Sequence, residues 1–392
     1  MKKKQIKLKI IDIEKLHTIT GQNNKRQIAG VVLMKLIYDN IIFSLQNAGG
    51  ISKYWSELIK RLIKKDDIIV TFYESANKNI FRKNLAINFK KESCLNVKTL
   101  RYLPFTMKLP ANSVFHSSYY RFSLQKNVVN ITTVHDFTYE YFRRGIPKYV
   151  HKLQKWFAIK NSDGIICVSE NTKKDLMKFY PNIEESKIKV IYNGVGNEFR
   201  HLNNSKNFLI DKFEVLKYKK YILYVGDRSN YKNFHLAVDV ATELKDYFLV
   251  VVGKRFNAKE KVILKNIENR IFLFEGISGE ELNILYNNAF CFLYPSTYEG
   301  FGIPIIEAMR AGCPVISTNR SSIPEIAGDS AILVQNIELY DFINAIKILE
   351  DEKERKKIIS KGFEQALKFN WDKCFEETYI FYKTVYDKKV KN

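Results

Sequence analysis

No stretch of this 392-residue chain stays apolar for the roughly 18–20 residues that a membrane-spanning helix needs. The longest approach, IAGVVLMKLIY, is short and interrupted by Lys35. The first 33 residues are basic but lack the sustained apolar core and small-residue cleavage site of a secretory leader, which argues against export. The five cysteines (Cys94, Cys167, Cys291, Cys313 and Cys374) are odd in number and form no C-x-x-C pair; several sit in apolar runs such as GIICVS and AFCFLYP. They read as buried thiols in a reducing compartment, so cytoplasmic residence is expected, with peripheral attachment at the inner face of the cell membrane left open. The acidic pair Asp-x-Asp is also missing throughout.

What is present is the composition of a packed protein. Hydrophobic residues make up 46%, aromatic 14% and charged 27%, unlike the polar, aromatic-poor profile of disordered chains. The length predicts two domains. The net charge of +22, from 64 Lys+Arg against 42 Asp+Glu, calls for an anionic partner: nucleic acid, a membrane surface or a phosphorylated substrate.

Strand and helix patterns alternate from Met34 onward, which predicts an α/β fold. Residues 1–33 are expected to stand outside the core, with Met34 as the natural start. KLIYDN, IIVTFY, SVFHSSYY, ITTVHDF, GIICVS and KVIYNGV read as strands of a first domain, residues 34–200. ISKYWSELIKRLIKK reads as a helix with Ile51, Trp55, Leu58 and Leu62 on one face and Lys53, Lys60 and Lys64 on another. After a polar lapse, YILYVG, FLVVVG, IFLFEG, FCFLYPS, PVIST and AILVQ open a second series, residues 201–370. Such apolar strands belong to parallel sheets covered on both faces. A last helix within 371–392 is expected to cross back to the first domain. Two doubly wound sheets bring strand carboxyl ends to a shared cleft, so motifs at strand ends should line it.

The most informative of these is YPSTYEGFGIPIIEAMRAGCPVIS, in which Glu299, Gly300, Phe301, Gly302 and Ile303 lead from a strand into a helix carrying Glu307. Glycines let backbone N–H groups approach an anion at a helix N-terminus, where the dipole favours a diphosphate, and a carboxylate one to two turns further on can accept both hydroxyls of a ribose. With its two glutamates and the G-F-G-I-P run, the stretch closely resembles the donor-site signature of the retaining family-four glycosyltransferases of the GT-B fold, and the resemblance extends over the chain from Met34 onward. It implies two Rossmann-like domains, with Glu307 on the donor ribose and Glu299 on the donor sugar. It also implies that Arg228 and Lys232, in YVGDRSNYKNF, neutralise the leaving diphosphate in place of the metal that other glycosyltransferases recruit through Asp-x-Asp. By the same resemblance Gly49 and Gly50 form a Gly-rich loop reaching the donor phosphate, and His135 touches the transferred sugar or positions the acceptor. Catalytic roles therefore fall to His135, Arg228, Lys232 and Glu299. Asp136 either joins the site or caps the following loop. His116, Tyr120 and Arg121 are candidate acceptor contacts, with a satisfied core histidine an equal reading of His116. Asn193 and Gly194 are expected to shape the crossover between domains.

The segment YFRRGIPKYVHKLQKWFAIK combines aromatics with cations. Lys148, Lys152 and Lys155 are expected on one helical face and Val150, Leu153 and Phe157 on another; the helix then either packs on a sheet with a solvated basic face or docks on anionic headgroups.

The resemblance implies a hexosyl, and by leaning a mannosyl, transfer from GDP-mannose or a UDP-hexose to a lipid-linked or growing saccharide in bacterial O-antigen, capsule or related surface-polysaccharide synthesis. No cofactor and no metal are expected. An epimerase or phosphorylase on the same fold, a non-catalytic donor-binding subunit and a basic nucleic-acid-binding protein are the alternatives, the last without an evident recognition module.

Overall fold

The computed structural model describes residues 33–92 and 96–390. The expectations for residues 1–33, Leu33 excepted, and for Cys94 fall outside them. From Met34 onward the chain is one compact unit.

That unit is built on two six-stranded sheets, parallel throughout. The first has the order β2-β1-β3-β4-β5-β6, with β1 Met34–Asp39, β2 Ile68–Tyr73, β3 Ser113–Ser117, β4 Val128–Val134, β5 Gly164–Cys167 and β6 Ile188–Val190. The second has the order β12-β11-β10-β7-β8-β9, with β7 Tyr221–Val225, β8 Phe248–Val252, β9 Ile271–Phe274, β10 Cys291–Tyr294, β11 Val315–Thr318 and β12 Ile332–Val334. In both, the order reverses beside the first strand of the domain, the place where such sheets open a crevice at their carboxyl ends. Central strands β3, β4, β5, β10 and β11 are buried along their whole length, as apolar parallel strands must be when helices cover both faces.

The Gly50–Leu62 helix buries Trp55, Leu58 and Leu62 against the first sheet. The Trp371–Val390 helix, last in the chain, packs on the same helix and sheet, adding Trp371, Phe375, Tyr379 and Tyr382 to that core. The return is made where Val195 bridges Asn370 and where a Cβ on Gly194 would fall 2.2 Å from the backbone nitrogen of Trp371. Only glycine admits two backbones that close. The four described cysteines are free and buried.

Candidate functional site

The donor loop follows β10. Gly302 takes φ 105°, a left-handed conformation that a side chain would strain, and starts the Ile303–Ala311 helix with Pro304 in its first turn. Phe301 anchors the loop by packing against Tyr192 and Phe369, and Ile303 packs between the two cores. Ser321 Oγ accepts from the backbone N–H of Glu299 (2.7 Å), while Ser322 Oγ contacts the carbonyls of Glu299 and Phe301, each at 2.9 Å. These serine bonds hold the loop through its backbone and leave the Glu299 carboxylate for other work.

Glu299 uses its carboxylate to bind Lys232, whose ammonium also donates to Tyr294 Oη at 3.1 Å. The two residues assigned separately to sugar and diphosphate thus meet as a pair. Arg228 is more confined than its place on a loop predicts. Its Nε donates to Glu260 at 2.8 Å, its Nη2 to Glu260 and to the Arg255 carbonyl, and the guanidinium lies over Phe234 and Phe256. Nη1 is its one buried arm without a partner among the described residues. It points to Gly253, where a Cβ would come within 3.0 Å of it.

One turn into the helix, Glu307 is half-buried and accepts from Tyr286 Oη at 3.4 Å. Burial pushes its carboxyl up to about 7, with Lys53 pulling it down and Glu198 pushing it further up. Both of those charges were missed in the sequence. Lys53 stands in the first turn of the Gly50–Leu62 helix, on the basic face that the sequence pattern sets apart from the apolar one, and donates to Glu198 Oε1 at 2.9 Å. Its place three residues after Gly50 was the signal available.

The facing wall comes from the first domain. A Cβ on Gly50 would meet nothing within 4 Å, so this helix start faces open space, whereas one on Gly49 would strike Gln46. His135 follows β4, with its ring edge-on to Tyr54 at 5.0 Å; burial pushes its pKa down to about 4, so the imidazole is neutral near pH 7. Gly300 lies directly on it, since a Cβ there would sit 1.8 Å from the His135 carbonyl oxygen. The Gly300 carbonyl accepts from Ser169 Oγ (2.6 Å) and Thr172 Oγ1 (3.0 Å). Tyr298 Oη accepts from the backbone of Phe137 and donates to Asp175, and Glu325 accepts the first backbone N–H groups of the Glu170–Phe179 helix. The donor loop and the His135 edge are thus in contact.

The acceptor candidates are corrected. His116 is fully buried, with Nδ1 2.6 Å from Tyr382 Oη and Nε2 3.0 Å from Thr133 Oγ1; it is the satisfied core histidine. Arg121 is buried against Asp39 and Glu92, and Tyr120 is buried in the core beneath Lys155. A strand end rich in polar residues here marks an internal ion-pair network rather than a ligand surface. Asp136 Oδ1 accepts from the backbone of Thr138 at 2.9 Å, which is its capping role. The Ile146–Lys160 helix is also turned from its expected register: Lys155 is buried, with its ammonium donating to the Asp136 carbonyl and to Glu140, while Val150, Leu153 and Phe157 are exposed.

The sequence pattern of Glycosyltransferase Family 4 matches residues 48–199, and that of Glycosyl transferases group 1 matches residues 205–365. The chain is 26% identical over 270 residues to the O-antigen chain mannosyltransferase B of Escherichia coli, a match spanning 64% of this chain and 70% of that one. It is 30% identical over 224 residues to the O-antigen chain mannosyltransferase RfbU of Salmonella typhimurium, spanning 56% of this chain and 60% of that one. Among solved structures, Alr3699/HepE of Anabaena in complex with UDP and glucose is similar with a TM-score of 0.67 at 15% identity, covering 89% of this chain and 99% of that one. Likeness at that identity speaks for the fold, two Rossmann-like domains in the GT-B arrangement.

Proposed function

The chain belongs to the family-four glycosyltransferases of the GT-B fold, and from that premise we propose that it moves a mannosyl residue from a nucleoside-diphosphate sugar, GDP-mannose before a UDP-hexose. The acceptor is a lipid-linked or growing saccharide of a bacterial surface polysaccharide, and the anomeric configuration is retained. The observation that carries this reading is the Lys232–Glu299 pair at the N-terminal end of the Ile303–Ala311 helix, on a donor loop whose Gly300 lies against the His135 carbonyl of the first domain. The mannosyl preference draws on the two O-antigen mannosyltransferases, and the nucleotide-sugar donor on the UDP complex of the Anabaena protein.

In this reading donor binding separates the pair. The ammonium of Lys232 turns to the diphosphate and the carboxylate of Glu299 to the sugar hydroxyls. As the glycosidic bond breaks, negative charge grows on the diphosphate, and Lys232, the remaining arm of Arg228 and the helix dipole stabilise it in place, without a metal ion. Glu307 holds the ribose. Neutral His135, on the opposite wall, contacts the sugar or the incoming hydroxyl. Incubating the protein with GDP-mannose, UDP-glucose and a lipid-linked saccharide, and reading the anomeric configuration of the product by NMR, tests the proposal. An inverted linkage, or a sugar nucleotide epimerised without acceptor, would overturn it.

A further inference from the structure

We propose, on the reading that Lys232 meets the donor diphosphate, that the stack of Phe142 on Tyr231 positions Lys232 for the transfer step. Tyr231 precedes Lys232 on the loop after β7, and the backbone of that loop is tied into the second domain. The Tyr231 carbonyl accepts from the Thr297 N–H at 2.8 Å and from Thr297 Oγ1 at 3.1 Å, and Asn233 Nδ2 donates to the Pro295 carbonyl at 2.8 Å. Pro295 and Thr297 lead directly to Glu299, so these bonds fasten the Lys232 loop to the donor loop.

The Tyr231 ring leaves its own domain. It packs against the first-domain core that holds Tyr120, Val134, Phe137 and Ile165, as Tyr298 does. Phe142, the last residue of the Thr138–Phe142 helix, lies on it with ring centroids 4.9 Å and planes 24° apart, and meets Tyr298 at 5.8 Å. Phe142 is 43% exposed, which its own domain does nothing to explain. Apart from its neighbour Tyr141, the rings it touches among the described residues both belong to the second domain.

The Lys232 ammonium stands 5.4 Å from the Tyr231 ring centroid and 5.1 Å from that of Tyr294, with Glu299 as its ion-pair partner. An aromatic face attracts a cation, the more so where water is excluded, and the side chains of Lys232 and Glu299 are each only 12% exposed. When the ammonium passes from Glu299 to the diphosphate, these rings are the wall along which it turns. A wall free to rock lets the ammonium settle away from the charge that develops on the leaving group, and preorganisation is lost. The helix that ends at Phe142 begins beside Asp136, which accepts from the Thr138 N–H. One short segment therefore joins the His135 wall to the cation on the leaving-group side.

Two measurements on the full chain test this. In the free protein, hydrogen exchange at the Lys232 and Asn233 amides, which donate to the Ser229 and Asn230 carbonyls, should quicken in Phe142→Ala and return to the wild-type rate in Phe142→Tyr. In steady-state transfer from GDP-mannose to a lipid-linked saccharide, Phe142→Ala should lower kcat roughly 10- to 10²-fold, the scale of a misplacement approaching 1 Å, and leave the donor KM almost unchanged. Phe142→Tyr, which keeps the ring, should restore the rate. In a Lys232→Ala background Phe142→Ala should cost nothing more, because the group it positions is gone. Unchanged exchange, a loss that appears in KM instead of kcat, or a full further loss in the Lys232→Ala background would overturn the proposal. A wild-type protein that forms no product from GDP-mannose or UDP-glucose would overturn the transfer reading itself, while the exchange rates, read without substrate, still report on the stack.

Discussion

Lys232 and Glu299 neutralise each other in the free protein, although each is expected to serve a different part of the donor. In the proposed mechanism a complete nucleotide sugar replaces this one internal ion pair with two external contacts. Lys232→Ala is therefore expected to lower turnover roughly 10²–10³-fold, the range for deleting one preorganised charge-stabilising group, and to weaken donor binding much less. Glu299→Ala should spare the bare nucleoside diphosphate and weaken the nucleotide sugar. Calorimetry with both ligands, beside steady-state rates, reads the two effects; loss of diphosphate binding in Glu299→Ala would reverse the assignment.

Glu307 gives the site a pH dependence. Its folded pKa, about 7, is raised above the ordinary 4.5 by burial, so in the free protein it holds a proton at mildly acidic pH. Two ribose hydroxyls donate best to an ionised carboxylate. Nucleotide affinity should fall as pH drops below about 7, and binding near neutrality should release a proton. Lys53→Met, which removes the nearby cation, should move the midpoint up, and Glu198→Gln should move it down. The sign for folding is opposite: because the native state holds the extra proton, this group's contribution to stability declines as pH rises from about 4.5 to about 7. Titrations in buffers of different ionisation enthalpy would expose proton release; an affinity flat with pH would remove Glu307 from the ribose.

His116→Ala should damage the fold and leave the chemistry alone. The substitution empties a site beside the stacked rings of Tyr38 and Trp55 and strips Tyr382 and Thr133 of a shared partner. The expected cost is about 2–4 kcal/mol in denaturant unfolding. KM for the acceptor, measured on the folded fraction, should not move.

Activity should persist in excess EDTA, because in the proposed mechanism Lys232, Arg228 and a helix terminus meet the leaving group's charge. A loss of turnover reversed by Mg²⁺ or Mn²⁺ would show that a metal ion carries that charge.

The sheets were legible because a buried parallel strand must be apolar along its whole length, and FLVVV or CFLY leaves little choice. The donor loop was legible because Gly302 and Pro304 each have one local conformational reason to be there. Pairing across the chain was not legible. Lys53 looks like any solvated lysine until Glu198, far along the sequence, is brought to it. The same holds for Arg121, which reads as a ligand contact until Asp39 and Glu92 close around it. In the Ile146–Lys160 helix periodicity identified two faces but could not say which would turn inward. Contacts with Tyr139, Asp136 and Glu140 outweighed the apolar stripe.

Glu325 bonds to the backbone N–H groups of Glu170 and Asn171, the exposed start of a helix that belongs to the other sheet. Whenever the two halves part, those amides lose their carboxylate and turn to water. Opening therefore leaves a local signature: hydrogen exchange at Glu170 and Asn171 should quicken in step with cleft opening and slow when a donor holds the halves together. Two backbone amides in the first domain thus become a gauge of events in the second.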